Sequence, residues 1–397
     1  MKYNFYKHNL HNDKIIFQDI KKIEETFPVP LYIYNGRDAW ENAAEIQRCL
    51  GSSVRLCYAV KANYFLAESL IDIAAGFEIC SRGELEYCLE THVPAGKISY
   101  SGVWKSEEDV RRALKVGVRR FVTDSSRQLA MLQKLADTKV KVLLRLSSGN
   151  QFGMNVHEIE KILSDRSQYP SLEISGIHYY AGTQRQFRYQ LERDFRLLAD
   201  ALDYFENKGV PMKELQIGGG LGFPLFETDK IEEYENAADY LFGFIRSLSE
   251  QYQVTYECGR VIAANAGRYV TKVFEKKQRE DREILFVQGG SHHIRYYGNV
   301  VGQRAPFIGG ITKEKRQGES EYMVCGSLCS SSDILSMKFK HRPIEIGDYL
   351  LFYNAGAYNL QEASNLFLGM EMPGILRYNK NNNQPKMLDL GWSYHER

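Results

Sequence analysis

Cysteine is sparse and unpatterned in this chain. Seven occur in 397 residues, at 49, 57, 80, 88, 258, 325 and 329. No C-x-x-C pair is among them and the count is odd, so neither a zinc site nor a disulfide framework is indicated. A free cysteine is most often a small buried apolar residue, and that reading is kept for all but Cys329. Surplus charge is also lacking. The formal net charge is +1, which offers a polyanion such as nucleic acid little to hold. No apolar run reaches the ~18 residues needed to span a bilayer. The segment MKYNFYKHNLHNDKIIF contains no apolar signal-peptide core, so a cytoplasmic protein is expected. Internal repeats, low-complexity tracts and long linkers are absent too. What remains is ordinary globular composition, 44% hydrophobic and 25% charged, at a length that accommodates two domains.

Along the chain, apolar β-type runs alternate with amphipathic helical stretches. The runs fall at 54–60, 77–79, 98–101, 120–123, 140–146, 173–178, 214–217 and 255–258. Residues 30–34 (PLYIY) form an earlier apolar run ahead of helical periodicity over 38–50. Ser106 followed by Glu107, Glu108 and Asp109 predicts a capped helix start, with the helix running to about residue 116. Residues 186–207 and 231–252 read as two longer helices. Eight β-runs with helical crossovers point to a closed (β/α)₈ barrel, a doubly wound open sheet being the alternative. After about residue 265 the long helices give way to short strand-like runs, which predicts an antiparallel β domain. The early segment 14–17 (KIIF) is a candidate strand of that domain.

Several segments carry chemistry. Lys61 ends the first apolar run, where catalytic groups gather in barrel enzymes. A desolvated lysine there can attack an aldehyde, though a lysine after a strand also reads as a solvated surface residue. Gly218, Gly219 and Gly220 follow the seventh run, where backbone N–H groups can approach a phosphate. The bland alternative is a flexible turn. Glu257, Gly259 and Arg260 follow the eighth run. The arginine suits a phosphate, the glutamate suits a protonated pyridine nitrogen, and a surface salt bridge between the two is the alternative. Further on come a polar loop with one thiol and one carboxylate, Gly326–Asp333, and a tyrosine, Tyr358, placed after a strand.

In their order, these segments resemble the fold-type III pyridoxal-5′-phosphate (PLP) decarboxylases, the family of bacterial diaminopimelate decarboxylase and eukaryotic ornithine decarboxylase. The resemblance covers roughly residues 28–370. It rests on YAVKAN (58–63), GFEICSRGEL (76–85), GIHYYAGTQ (176–184), GGGLG (218–222), ECGR (257–260), GSLCSSSD (326–333) and GDYLLFYNAGAY (347–358). It implies a PLP-binding, alanine-racemase-like (β/α)₈ barrel over 28–265. A β-sandwich or β-barrel domain made from 1–27 and 266–397 would contribute to the active site of a head-to-tail homodimer. The implied activity is removal of the α-carboxylate of an amino acid. Lys61 would hold the cofactor covalently. Glu78 would lie near it. Gly219, Gly220, Gly259, Arg260 and Tyr358 would bind its phosphate, and Glu257 would pair with its ring nitrogen. Arg145 matches an arginine near the cofactor. Cys329 and Asp333 would reach the partner subunit's site, with Cys329 as the acid that reprotonates the α-carbon. Arg295, in QGGSHHIR, matches an arginine that reads a substrate carboxylate. No metal is implied.

Three departures from the family pattern bear on the substrate. His178 keeps the first histidine of a G-I-H-x-H segment, but Tyr180 replaces the second, which would stack on the cofactor ring. Ser330 stands directly after the loop cysteine, where an acidic residue usually meets the substrate's distal ammonium. A neutral hydroxyl pairs poorly with a buried ammonium. Cys258 replaces the proline of E-P-G-R. The pattern resembles the branch serving siderophore and other natural-product pathways, whose substrates include citryl-diamino acids and carrier-protein-bound aminoacyl groups. The expected function is therefore an α-decarboxylase of an amino acid or amino-acid conjugate. The alternatives are meso-diaminopimelate decarboxylase, an amino-acid racemase of the same fold, and a non-catalytic PLP carrier or regulatory homologue.

Overall fold

The computed structural model describes residues 2–6, 20, 25, 27–210, 212–280 and 282–388. The candidate strand at 14–17 lies outside the described residues. A short 3-10 turn, Asn4–Tyr6, comes before β1 (Leu31–Asn35) and α1 (Gly36–Leu50). There follow eight strands: β2 (Arg55–Ala59), β3 (Gly76–Ile79), β4 (Ile98–Tyr100), β5 (Arg120–Thr123), β6 (Val140–Leu146), β7 (Leu172–Tyr180), β8 (Glu214–Gly218) and β9 (Gln253–Cys258). They close into a barrel in chain order, every pairing parallel, with β9 returning to β2 through Tyr58↔Cys258. Helices α2 (Arg82–Glu90), α3 (Glu107–Lys115), α4 (Ser126–Leu135), α5 (Val156–Ser164), α6 (Arg188–Asn207) and α7 (Ile231–Leu248) alternate with the strands. The expected (β/α)₈ class is thus met.

The local reasons are visible in the sequence. Parallel strands are covered on both faces and so favour apolar residues; β2 (RLCYA) buries Leu56, Cys57, Tyr58 and Ala59. Helices bury one stripe. In α3 the inward residues are Val110, Ala113 and Leu114, the i, i+3, i+4 spacing of a helix face. The capping box predicted at its start is present: Ser106 Oγ accepts from Asp109 N–H, and Asp109 Oδ2 accepts from Ser106 N–H, both at 3.1 Å.

By internal contacts the chain divides into two compact units. The barrel unit holds Trp40–Phe223 and Ile231–Val261. The second unit takes in β1, Pro224–Lys230 and the chain from Ile262 onward. Its strands are β10 (Gly267–Arg279), β11 (Arg282–Val287), β12 (Ile308–Ile311), β13 (Ser320–Cys325), β14 (Ile334–His341), β15 (Tyr349–Phe352), β16 (Gly374–Asn379) and β17 (Asn382–Leu388). They form one sheet in the order β14-β13-β11-β10-β1-β16-β17, with β15 pairing β10 and β12. Most pairings are antiparallel, as expected; β1–β16 and β11–β13 are parallel. A core of Leu31, Ile33, Val270, Leu351 and Leu376 lies on this sheet. The sequence boundary at residue 28 put PLYIY with the barrel. Instead β1 pairs β10 through Leu31↔Val270 and β16 through Leu31↔Gly374. A short apolar run before a helix looks like any βα unit, and only these long-range pairings decide its sheet.

Candidate active site

In the barrel unit the chemistry gathers at the C-terminal ends of the strands, as barrels arrange it. Lys61 sits in the single turn Val60–Ala62 directly after β2. Its Nζ lies 3.1 Å from Glu78 Oε2 and 3.4 Å from Glu257 Oε1, and 5.3 Å from the centre of the Tyr180 ring. Both carboxylates are buried, whereas the lysine side chain is 31% exposed. The amine is therefore held between two buried carboxyl groups yet open to an incoming carbonyl.

Glu257, at the end of β9, is supported from behind. Its Oε2 meets His178 Nε2 at 3.0 Å and accepts from Gln216 Nε2 at 3.3 Å. Burial alone would raise this carboxyl, but the Lys61 charge and the bonds from His178 and Gln216 hold it well below the usual carboxylate range. His178 is thus bonded to Glu257 through Nε2. Its Nδ1 is buried without a partner among the described residues.

Glu78, at the end of β3, has its own support. Ser101 Oγ donates to Oε1, and Cys80 Sγ donates to the same oxygen at 3.1 Å. Burial, with Glu78 adding to it, keeps the Cys80 thiol strongly raised and so protonated. Lys105, buried after β4, donates Nζ to the Ser101 and Gly102 carbonyls, and burial pushes it down to about 8. Glu84 accepts from Cys80 N–H at 2.6 Å. Burial raises Glu84 to about 7, from an ordinary 4.5. Its protonated form is the one the fold favours, so the stability it contributes is present below about 4.5 and lost as pH rises through about 7. Glu84→Gln should accordingly stabilise the protein more at pH 8 than at pH 5, by roughly 1–2 kcal/mol. Denaturant midpoints of both proteins at the two pH values check this; equal shifts would mean Glu84 titrates normally.

The glycines of the two phosphate candidates leave no room for a side chain. Gly220 has a left-handed backbone (φ +61°), and a Cβ there would collide with the Gly182 carbonyl oxygen. A Cβ on Gly219 would lie 2.7 Å from Leu241 Cδ1, and one on Gly259 would lie 2.8 Å from Ala62 Cβ. Arg260 is buried, and its Nη2 donates to Thr183 Oγ1 at 3.3 Å. Arg145 pairs with Asp124 at 3.3 Å and stacks over the Phe152 ring at 4.7 Å.

The remaining candidates lie in the second unit. Cys329 is exposed, on the loop 326–333. Ser330 Oγ bonds Ser332 Oγ at 2.8 Å. Arg295 is exposed; its N–H donates to the Asn359 carbonyl at 3.0 Å, and Asn359 Nδ2 donates to the Arg295 carbonyl at 3.0 Å. Tyr358 has a left-handed backbone (φ +69°). Asp333 departs from the expectation of a substrate ligand. It is buried, Oδ1 accepts from Ser291 N–H at 2.7 Å, and Oδ2 accepts from Leu328 N–H at 2.9 Å.

A family model described as the pyridoxal-binding domain of pyridoxal-dependent decarboxylases matches residues 37–264. The chain belongs to this family. It is 30% identical over 376 residues to the diaminopimelate decarboxylase of Pseudomonas aeruginosa, covering 87% of each chain. It is 24% identical over 383 residues to 2-[(L-alanin-3-ylcarbamoyl)methyl]-2-hydroxybutanedioate decarboxylase of Staphylococcus aureus, covering 89% of this chain and 94% of that one. The crystal structure of AQ1208 from Aquifex aeolicus superposes with a TM-score of 0.79 at 26% identity, over 93% of this chain and 90% of that one. The protein is therefore a PLP-dependent decarboxylase.

The residues of this decarboxylase fit its cofactor. An amine open to an aldehyde sits beside a buried acid kept ionised, the partner a protonated ring nitrogen requires. Glycines that admit no Cβ, with a buried arginine, are the residue types that phosphate binding needs for close backbone approach and fixed charge. Sequence reasoning missed Gln216, Ser101, Cys80, Lys105 and Thr183. The one available signal was polarity where none is expected: Gln216 interrupts a wholly buried strand.

Proposed function

We propose that this decarboxylase removes the α-carboxylate of an amino-acid conjugate whose distal end is not a free ammonium. Substrates of that kind occur in siderophore and other specialised-metabolite biosynthesis. What supports the reading is the loop 326–333. Its single carboxylate, Asp333, is turned inward onto two backbone N–H groups, and Ser330 offers only a hydroxyl. A distal ammonium brought to this loop would find no anion and would bear the cost of an unpaired buried charge. The Staphylococcus aureus relative, named for a carboxylate-rich amide conjugate, fits the same substrate class. The second reading is meso-diaminopimelate, after the Pseudomonas aeruginosa relative.

In this reading Lys61 anchors the cofactor and later releases product, and Glu257 holds the ring nitrogen's proton. Gly219, Gly220, Gly259 and Arg260 hold the phosphate from the barrel side. Tyr180 presents its ring face where a histidine would stack, and Arg145 stays anchored to Asp124. When bound, PLP supplies the electron sink for the breaking bond. Cys329 delivers the proton to the α-carbon, from the second copy of a homodimer, and Arg295 reads a substrate carboxylate.

A CO₂-release screen over meso-diaminopimelate, ornithine, lysine and amide-linked citryl-diamino acids tests the proposal. Release from a conjugate, with the free diamino acids at least about 10²-fold slower, is expected. Turnover of meso-diaminopimelate at ordinary enzyme rates would overturn it. On the accepted substrate, Cys329→Ala should slow turnover about 10²-fold while leaving cofactor content unchanged, as loss of a general acid does. A change of less than about threefold would make Cys329 a structural residue.

A further inference from the structure

Asp333 is a buried carboxylate with no cation within ion-pair distance among the described residues. Its side-chain oxygens are hydrogen-bonded by main chain alone, while the buried His292 ring also interacts with its charge, and the two donors come from different loops. Ser291 N–H belongs to the loop that carries Arg295; Leu328 N–H belongs to the loop that carries Cys329. The same aspartate closes its own loop: Gly326 N–H donates to the Asp333 carbonyl at 2.9 Å, and Asp333 N–H donates to the Ser330 carbonyl at 3.1 Å. A further main-chain bond, Ser327 N–H to the Gly289 carbonyl at 2.7 Å, runs between the two loops.

Two glycines make room for this arrangement. A Cβ on Gly290 would lie 2.5 Å from Asp333 Oδ2 and 2.6 Å from Oδ1. A Cβ on Gly326 would collide with the same Oδ2. Glycine is therefore required on both loops for the carboxylate to sit between them. A charged group bonded to N–H donors makes stronger bonds than a neutral one, and an unmet donor in a buried site is costly. Both effects resist separation of the loops.

The geometry assigns Asp333 as a positioning residue: it ties the Cys329 loop to the Arg295 loop in one arrangement and does not itself touch substrate. Leu328, whose N–H the carboxylate holds, directly precedes Cys329 in the chain, so the tie fixes where the thiol's main chain starts. The catalytic consequence rests on the reading of Cys329 as the acid and Arg295 as a carboxylate ligand. The tie itself does not, and it is measured without turnover.

The test compares Asp333→Asn and Asp333→Ala with the native holoenzyme, cofactor absorbance confirming that each variant folds and loads. The first readout is the rate of Cys329 alkylation by iodoacetamide against pH, followed by mass spectrometry. The second is amide exchange at Ser291 and Leu328. If the side chain merely fills space, the isosteric asparagine behaves like the native protein. If its charge ties two donors, asparagine resembles alanine, because its amide turns an N–H₂ toward one of them. Expected are at least about tenfold faster exchange of both amides and a displaced alkylation profile in both variants. Asparagine within about twofold of native in both readouts would overturn the proposal. Should neither variant fold, Gly326→Ala displaces the same carboxylate and is read in the same way. Exchange in the native protein then decides independently. Protection of both amides about 10²-fold above free-chain rates supports the tie, and free-chain exchange overturns it. If Cys329→Ala leaves turnover intact, the acid assignment fails and these readouts still stand.

Discussion

Lys61→Ala gives a protein that folds but cannot be fixed to its cofactor by borohydride, with turnover down by ~1,000-fold or more. Lys61 Nζ is the amine lying between Glu78 and Glu257, and its side chain is partly exposed while theirs are buried. Lys105, after β4, is another amine in the barrel unit, and it is spoken for: buried, with Nζ on the Ser101 and Gly102 carbonyls. Its lowered basicity would make it a passable nucleophile if it could move. Borohydride reduction followed by peptide mapping distinguishes the two. A reduced adduct at native stoichiometry in Lys61→Ala would sink the assignment, and an adduct on Lys105 would name the replacement. The substitution has a second effect. Lys61 is the largest of the influences that lower Glu257. Without its charge the Glu257 carboxyl rises toward the ordinary range, so the apo variant loses stability as pH increases relative to the native protein. Lys61→Arg, which keeps a cation but cannot form the covalent link, should restore that stability and not the adduct.

The strand-end residues were legible in the sequence because each follows an apolar run and is chemically out of place there: Lys61 after β2, Glu257 closing β9. The barrel was legible for a related reason, since eight buried parallel strands must be apolar nearly throughout. What the pattern could not supply was depth. Ser101 and Cys80 serve Glu78, while His178 and Gln216 serve Glu257, and such partners are set by strand register rather than by spacing along the chain. Register also placed β1 in the second sheet, against its local appearance. Asp333 was misread for the opposite reason. Its motif position suggested a ligand, and only the two glycine contacts and the two amide bonds reveal a carboxylate facing inward.

Glu257→Gln should lower kcat on the substrate found by CO₂ release about 10³-fold while cofactor content stays near native. Gln is isosteric, so packing between β8 and β9 survives; what disappears is the fixed negative charge. Electrostatic groups aimed at charge that must be held during reaction are worth on the order of 10²–10³ each, and this one has no second carboxylate bonded to His178 and Gln216 to replace it among the described residues. The amide also introduces a conflict. Oε2 of Glu257 can accept from both His178 Nε2–H and Gln216 Nε2–H, whereas the glutamine must offer its oxygen to one side and its N–H₂ to the other. Glu257→Asp keeps the charge but retracts it, and should recover part of the lost rate. The pH behaviour separates charge from shape. In the native protein Glu257 stays ionised through the working range, because its carboxyl is held well below the usual value. Removing a helper by His178→Phe lifts that carboxyl, so the variant should show an acid-side loss of kcat that the native enzyme lacks, since protonation of Glu257 now falls within reach. Glu257→Gln, with nothing left to protonate at this position, should be slow at every pH. Turnover of Glu257→Gln within about threefold of native at full cofactor loading would remove Glu257 from the ring-nitrogen role.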